Sequence, residues 1–382
     1  MGNRGVVKHI CIVITARASL ARVQTVIEAI TERTMHVNPN TPLLSIVLAG
    51  SAAVTKYGDV AKDIRAFAPS VPIHCCAAFE PHGNDGSAIY TGMLIQELTT
   101  CFAYVGATHV VVIADRYETL AVSIAASYNG LHLTHLLGGE RSGNIDDKVR
   151  FANTALANVH CTPTAQAYTT LYDQNRNRNR NTRRTGVHLT GCPSVDLALR
   201  AKMPTAEQLN ITGIGPRFRP HEPYEMVLYH PCADDPFTPL DFLRTILDER
   251  GDCQTLWFWP NIDPGAEIIE KELRVAHAQH ESILLYRHLP AEQFLGLLKG
   301  AACLIGNSSV GVREASILGT PVVNIGYRQQ SRLTTKNVAN ISGVGLLADT
   351  MNAQIDHGPY KPDYTYGKGD AGKKIAEILC TL

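Results

Sequence analysis

Apolar residues along this chain come in short continuous runs, and stretches with helical spacing separate them. In the first half the runs are Ile10–Ile14, Leu43–Leu48, Val71–His74, His109–Ala114, Leu131–Leu136 and His160–Thr162. Helical spacing lies between them, for example at Leu20–Thr31, Ser87–Tyr104 and Tyr117–Tyr128. Continuous β-branched runs that alternate with helices predict a parallel sheet covered on both faces. His188-Leu189-Thr190 closes this half, and Gly191-Cys192-Pro193 breaks it. The second half repeats the scheme, with runs at Met226–Tyr229, Thr255–Trp259, Ser282–Tyr286, Ala302–Ile305 and Val322–Ile325 and helices such as Leu240–Glu249 and Ala291–Lys299. Pro204 to Pro223, rich in Pro, Gly and Thr, reads as the linker between the halves. A last helix is expected over roughly Asp370–Leu379.

The pattern predicts an α/β protein of two doubly wound, Rossmann-like domains, over residues 1–200 and 201–365, with the carboxyl ends of both sheets lining an interdomain cleft. Residues 366–382 carry the last helix, free to pack across to the N-terminal domain. A length of 382 residues agrees, being too long for one ordinary core.

Charge narrows the partners. Lys+Arg and Asp+Glu are equal at 35 each, so no global field favours nucleic acid or an anionic membrane, and an anionic ligand needs a local site. One segment departs from this balance. Asn175 to Arg184 holds five arginines, four asparagines and no apolar residue, the composition of a solvated loop; an RNA or phosphate contact is the lesser alternative, since no aromatic is interleaved. The ten cysteines are scattered without a CxxC pair, and no secretory signal precedes them, so reduced thiols in the cytoplasm are expected. No apolar stretch approaches the roughly 20 residues that span a bilayer. HExxH and paired cysteines are absent, and no GxGxxG follows the first strand; neither a metal nor a dinucleotide cofactor is expected.

The strongest local signal is Gly306-Asn307-Ser308-Ser309 between an apolar strand and a helix. Free N–H groups and the dipole at such a helix start favour an anion, and Ser308 and Ser309 add hydroxyl donors. Glu314, near the end of the second turn, is placed to take both hydroxyls of a ribose. The competing reading makes the serines simple caps and Glu314 a solvated helix residue. Further on, Arg328 follows a strand that ends at Gly326, next to this anion site.

Other strand ends carry chemistry too. Arg17 follows the first strand, Asp115 and Arg116 follow His109–Ala114, and His230 follows Met226–Tyr229. Gly138-Gly139-Glu140 opens a loop that reaches Asp146-Asp147 at a helix start, where one acid could merely favour the helix dipole.

Together these residues resemble the hydrolysing UDP-N-acetylglucosamine 2-epimerases and, among them, the epimerase domain of the bifunctional sialic-acid biosynthesis enzyme. The likeness spans nearly the whole chain. It rests on Arg17-Ala18, Asp115-Arg116, Gly138 to Asp147, Gly191-Cys192-Pro193-Ser194, Pro260-Asn261-Ile262-Asp263, Gly306 to Glu314, Gly319-Thr320-Pro321, Arg328-Gln329 and Tyr366-Gly367. The resemblance implies the GT-B architecture, metal-free chemistry and a homodimer or homotetramer. It also implies a reaction: loss of UDP from a UDP-N-acetylhexosamine by elimination across C1–C2, then water addition to give the free 2-epimeric sugar. Carried over by position, Ser308, Ser309, Arg17, Arg116 and Arg328 would hold the diphosphate and Glu314 the ribose. Asp115, Asp146 (or Asp147) and His230 would be the acid/base groups.

The departures fall on the sugar side. Ile113-Ala114-Asp115 replaces His-Gly-Asp, Phe151 replaces a histidine, Ala155 a lysine, and Ser19-Leu20 replaces Asp-Tyr. Leu137 stands where the family has an acid/base glutamate, and Glu140 is the near substitute. A related GT-B enzyme with changed chemistry (a glycosyltransferase, or a hydrolase or eliminase of another nucleotide sugar) is therefore the alternative, with a non-catalytic nucleotide-sugar sensor behind it.

Overall fold

The computed structural model describes residues 7–34, 42–76, 83–143, 145–177, 186–250, 253–260 and 265–382. The chain forms two compact units. The first takes in Met1–Glu140, Ile145–Asp196 and Gly367–Leu382, and the second Arg141–Asn144 and Leu197–Tyr366. Most of the Asn/Arg run and residues 261–263 of the Pro260 motif lie outside the described residues.

Seven strands build the first unit: β1 (His9–Ile14), β2 (Leu43–Leu48), β3 (Ile73–Cys75), β4 (His109–Ile113), β5 (His132–Leu136), β6 (Val159–Thr162) and β7 (Gly186–Leu189). They lie in the order β3-β2-β1-β4-β5-β6-β7, every pair parallel. Strand order reverses between β1 and β4, so the sheet is doubly wound and opens a crevice at the carboxyl ends of those two strands. Cys11, Val13, Val110 and Val112 face Leu94, Leu98 and Phe102 of the helix Gly83–Val105, all at most 2% exposed. Burying each large apolar side chain contributes roughly 1.5–3 kcal/mol. Cys11 belongs to this core, and burial pushes its thiol far above the usual range.

The C-terminal helix Ala371–Thr381 packs on the helix Gln24–Thr34 of the same unit. The contact is close, since a Cβ on Gly372 would stand 2.4 Å from Thr25 Oγ1. Asp196 anchors the helix start by accepting the N–H groups of Ala371 (3.2 Å) and Gly372 (2.7 Å), and it also accepts from Thr25 Oγ1.

The second unit has β8 (Gly213–Ile214), β9 (Tyr224–Leu228), β10 (Gln254–Phe258), β11 (Ile283–Tyr286), β12 (Cys303–Gly306), β13 (Val322–Ile325) and β14 (Val338–Ile341). Their order is β14-β13-β12-β9-β10-β11-β8, parallel except for β8, which runs antiparallel to β11. The order reverses between β9 and β12. Trp257, Phe242, Tyr229, Ile305 and Met351 form the core, with Tyr229 stacked on Phe242 at 4.4 Å. Among the described residues, no helix is long and apolar enough to cross a membrane.

Two elements differ from the sequence expectation. The stretch read as a linker holds a helix, Ala206–Thr212, and the edge strand β8. Thr205 and Gln208 form a reciprocal capping box there, each side chain accepting the other's N–H (3.2 and 2.9 Å). The helix expected from Ser309 through Glu314 is instead two short ones, Ser309–Val312 and Glu314–Leu318. Arg313, with φ −95° and ψ −68°, breaks them.

Candidate functional site

Both strand-order reversals carry the residues singled out from sequence. In the second unit, β12 runs beside β9 with Gly306 opposite Leu228. Only glycine fits there: a Cβ on Gly306 would lie 2.1 Å from the Leu228 carbonyl oxygen, and its φ is +143°.

Asn307 follows and is 0% exposed. Its Oδ1 accepts the His230 N–H (2.8 Å), and its Nδ2 donates to the His230 carbonyl (2.7 Å). The Asn307 carbonyl accepts from the Arg328 guanidinium (3.2 Å) and the Gln329 amide (3.0 Å). Three segments distant in sequence thus meet at one buried residue.

Ser308 takes the N-cap position with extended backbone, and its Oγ accepts from Val310 N at 3.5 Å, a long and weak cap. Ser309 opens the first short helix and is half-buried. Glu314 is not a solvated helix residue. It opens the second short helix at 7% exposure, and its Oε2 is buried with no hydrogen-bond partner among the described residues. A buried carboxylate oxygen of this kind is costly unless a donor reaches it.

The loop that carries Arg328 has its own anchor. Asp235 accepts the Tyr327 N–H (2.8 Å) and the Tyr229 hydroxyl (2.9 Å), and its Oδ1 would lie 2.2 Å from a Cβ on Gly326. Burial raises the Asp235 pKa, against the hydrogen bonds and the nearby Arg328 charge, which lower it.

In the first unit, Arg17 lies just past β1, half-buried; desolvation lowers its pKa, and Asp63 acts in the opposite sense. Past β4, Ala114 has φ 63°, a left-handed backbone that non-glycine residues rarely adopt. Asp115 comes next at 6% exposure. Arg116 donates to Glu118 at 3.2 and 3.4 Å, so a buried carboxylate orients it.

Arg150, on the helix Asp146–Leu156, is 0% exposed and pairs with both Asp115 and Asp147. It also donates to the Glu140 carbonyl (3.1 Å). Burial works against its charge, but the Asp115, Glu140 and Asp147 carboxylates outweigh this and hold its pKa above the ordinary value. Asp115, Asp147 and the Glu140 backbone are therefore gathered by one cation. Asp146 is half-buried at the first position of the same helix.

Leu137 repeats the backbone of Ala114 one strand over, with φ 64°, and is 1% exposed. Beside it, His135 binds the Ala114 carbonyl through Nε2 (2.9 Å) and Thr154 Oγ1 through Nδ1 (3.2 Å). Burial pushes the His135 pKa down to about 4, so the ring is neutral; because a carbonyl only accepts, Nε2 carries the proton.

Asn307, Asp235 and Arg150 had no role in the sequence reading, although Asn307 lies within a quoted motif and Arg150 stands three residues past another. Position beside a strand end was the signal available for Asn307. Asp235 offered none, because its partners lie across β9 and β13.

The profile of the family described as UDP-N-acetylglucosamine 2-epimerase matches residues 40–380. A UDP-N-acetylglucosamine 2-epimerase of Neisseria meningitidis serogroup B is 27% identical over 279 residues, 71% of this chain and 70% of that protein. A hydrolysing UDP-N,N'-diacetylbacillosamine 2-epimerase of Legionella pneumophila is 25% identical over 89% of this chain and 88% of its own. The crystal structure of the UDP-GlcNAc 2-epimerase from Neisseria meningitidis bound to UDP-GlcNAc superposes with a TM-score of 0.76 at 16% identity, covering 98% of this chain and 100% of the other. That likeness shows the fold: two doubly wound Rossmann-like units, the GT-B architecture.

Proposed function

Because the chain belongs to the UDP-N-acetylglucosamine 2-epimerase family, we propose that it is a hydrolysing epimerase of UDP-N-acetylglucosamine or a modified relative, releasing UDP and the free 2-epimeric sugar. The observation that carries this is the second-unit cluster, in which Asn307 gathers His230 and Arg328 while Glu314 keeps a buried carboxylate oxygen with no donor among the described residues. A ribose diol supplies the donor that this oxygen lacks. In the second unit, Ser308, Ser309 and Arg328 hold the diphosphate; Arg17 and Arg116 take the diphosphate role that the resemblance gives them.

The chemistry balances in two steps. A base removes the C2 proton, the C1–oxygen bond breaks, and UDP departs with that electron pair, leaving a 2-acetamidoglucal. Water then adds its oxygen to C1 while a proton enters C2 on the opposite face. Asp115, Asp146 (or Asp147) and His230 are the proton carriers, with Glu140 as reserve, and neither step calls for a metal or cofactor. The free thiols fit a reducing cytoplasm, and a homodimer or homotetramer is carried over from the resemblance.

Incubation with UDP-N-acetylglucosamine in D2O is expected to yield UDP and N-acetylmannosamine with one deuterium at C2. Release of UDP without deuterium at C2 would falsify the epimerase reading. A second reading rests on Leu137, an apolar and 1% exposed residue where the resemblance places an acid/base glutamate. It expects a GT-B enzyme of changed chemistry, recognised by an acceptor-dependent product or by turnover of a nucleotide sugar that lacks the 2-acetamido group.

A further inference from the structure

We infer that Asn307 is a positioning residue that sets His230 from the diphosphate-binding segment, an inference that rests on the proposed role of that histidine. The backbone ladder between β9 and β12 ends with Asn307 N donating to the Leu228 carbonyl (3.3 Å). Beyond it the Asn307 side chain continues the pairing. Its carboxamide presents one acceptor and one donor in a plane, as a peptide does, and both engage the His230 peptide at 2.8 and 2.7 Å.

Only the longer glutamine offers the same carboxamide, and an aspartate loses the donor. His230 itself is 4% exposed, so the peptide that carries its imidazole is fixed from within the protein. The same residue turns its carbonyl to Arg328 and Gln329 (3.2 and 3.0 Å). Its side chain serves the histidine, whereas its backbone serves the phosphate-binding arginine. Substituting the side chain therefore separates the two functions.

The test is Asn307→Asp in the full chain, with Asn307→Ser as the second variant. Serine removes the carboxamide without placing a carboxylate against the His230 carbonyl, which keeps the test open if the aspartate variant does not fold. Thermal melting establishes folding, and three quantities are then read. The kcat is expected to fall about 10- to 100-fold, as for a mispositioned acid/base group. The Kd for UDP by calorimetry is expected to stay within about threefold, because the Arg328 contact uses backbone. In a His230→Ala background the Asn307 substitution is expected to cost less than about twofold more, because the two act as one.

A multiplicative loss in the double variant, or a Kd that weakens in step with kcat, overturns the inference. Unchanged kcat in His230→Ala alone overturns the acid/base role of His230 instead. One readout does not depend on turnover: the His230 imidazole titration by NMR is expected to move up by about half a pH unit or more in Asn307→Asp, from the new carboxylate. An unmoved titration overturns the inference even if UDP-N-acetylglucosamine is not a substrate.

Discussion

Arg150 is the residue whose loss should be felt most widely in the first unit. Arg150→Met keeps an unbranched apolar stem and removes the guanidinium that Asp115 and Asp147 share and that the Glu140 carbonyl accepts from. The site is 0% exposed, so water does not replace the lost cation. Removing one partner of a buried pair costs about 3–5 kcal/mol. At roughly 2–4 °C per kcal/mol, the melting temperature should drop by about 6–20 °C.

The pH dependence gives the sharper check. The wild-type Arg150 pKa is raised, so the contribution of its own titration is complete below the ordinary guanidinium value and is lost only as pH rises through the folded one. Across the acid and neutral range its own charge does not change, so any pH dependence comes from its carboxylate partners. In the variant, two carboxylates face each other without the cation, and like charges raise their pKa values. The destabilisation should therefore shrink as pH falls through the range in which the two carboxylates protonate. Urea denaturation of both proteins across that range measures this. A loss below about 1 kcal/mol, the size of an exposed pair, or a loss unchanged with pH, refutes the reasoning.

Three further outcomes follow from the same geometry. Leu137→Glu puts a carboxylate at a 1% exposed position, where desolvation raises its pKa; the variant should lose stability against wild type as pH rises above about 4.3, by urea denaturation at acid and neutral pH. Glu314→Gln should weaken UDP binding about tenfold or more by calorimetry, because it replaces one oxygen of the acceptor proposed for the ribose with a donor, and equal binding would remove Glu314 from the proposed site. His135 is held neutral with a pKa of about 4, so its contribution is present above its unfolded value of 6.5 and is lost as pH falls through the folded one. His135→Gln should therefore show a shallower loss of stability between those pH values, and an identical slope would show that His135 does not govern it.

The two doubly wound sheets were legible because parallel strands buried on both faces announce themselves as continuous apolar runs, as at Ile10–Ile14 and Val322–Ile325. The placement of the candidate residues was legible in part, for a related reason: polar groups at the carboxyl ends of such sheets follow strand ends, which is where Asp115 and His230 stand. Their supports were harder to see. Asp235 reaches Tyr327 across β9 and β13, and no local pattern encodes a contact that far along the chain. Ala114 and Leu137 carry side chains ordinary for a strand end, yet their backbones are left-handed, an outcome imposed by the surroundings and not by propensity. The break at Arg313 is similar, since Val312 and Arg313 both suit a continuous helix. The capping box at Thr205 was a local signal that the Pro- and Gly-rich composition around it concealed.

The C-terminal helix brings a constraint of timing to the fold. The first unit receives its last element, seated on Asp196 and the helix Gln24–Thr34, only after the whole of Leu197–Tyr366 has been made. At roughly 5–20 residues per second, a ribosome takes on the order of 10–30 s to bridge that gap. Through that interval the face of the helix Gln24–Thr34 that the C-terminal helix covers stays open to the cell. Chaperone demand during synthesis is thus written into the order of the chain, apart from the stability of the finished protein.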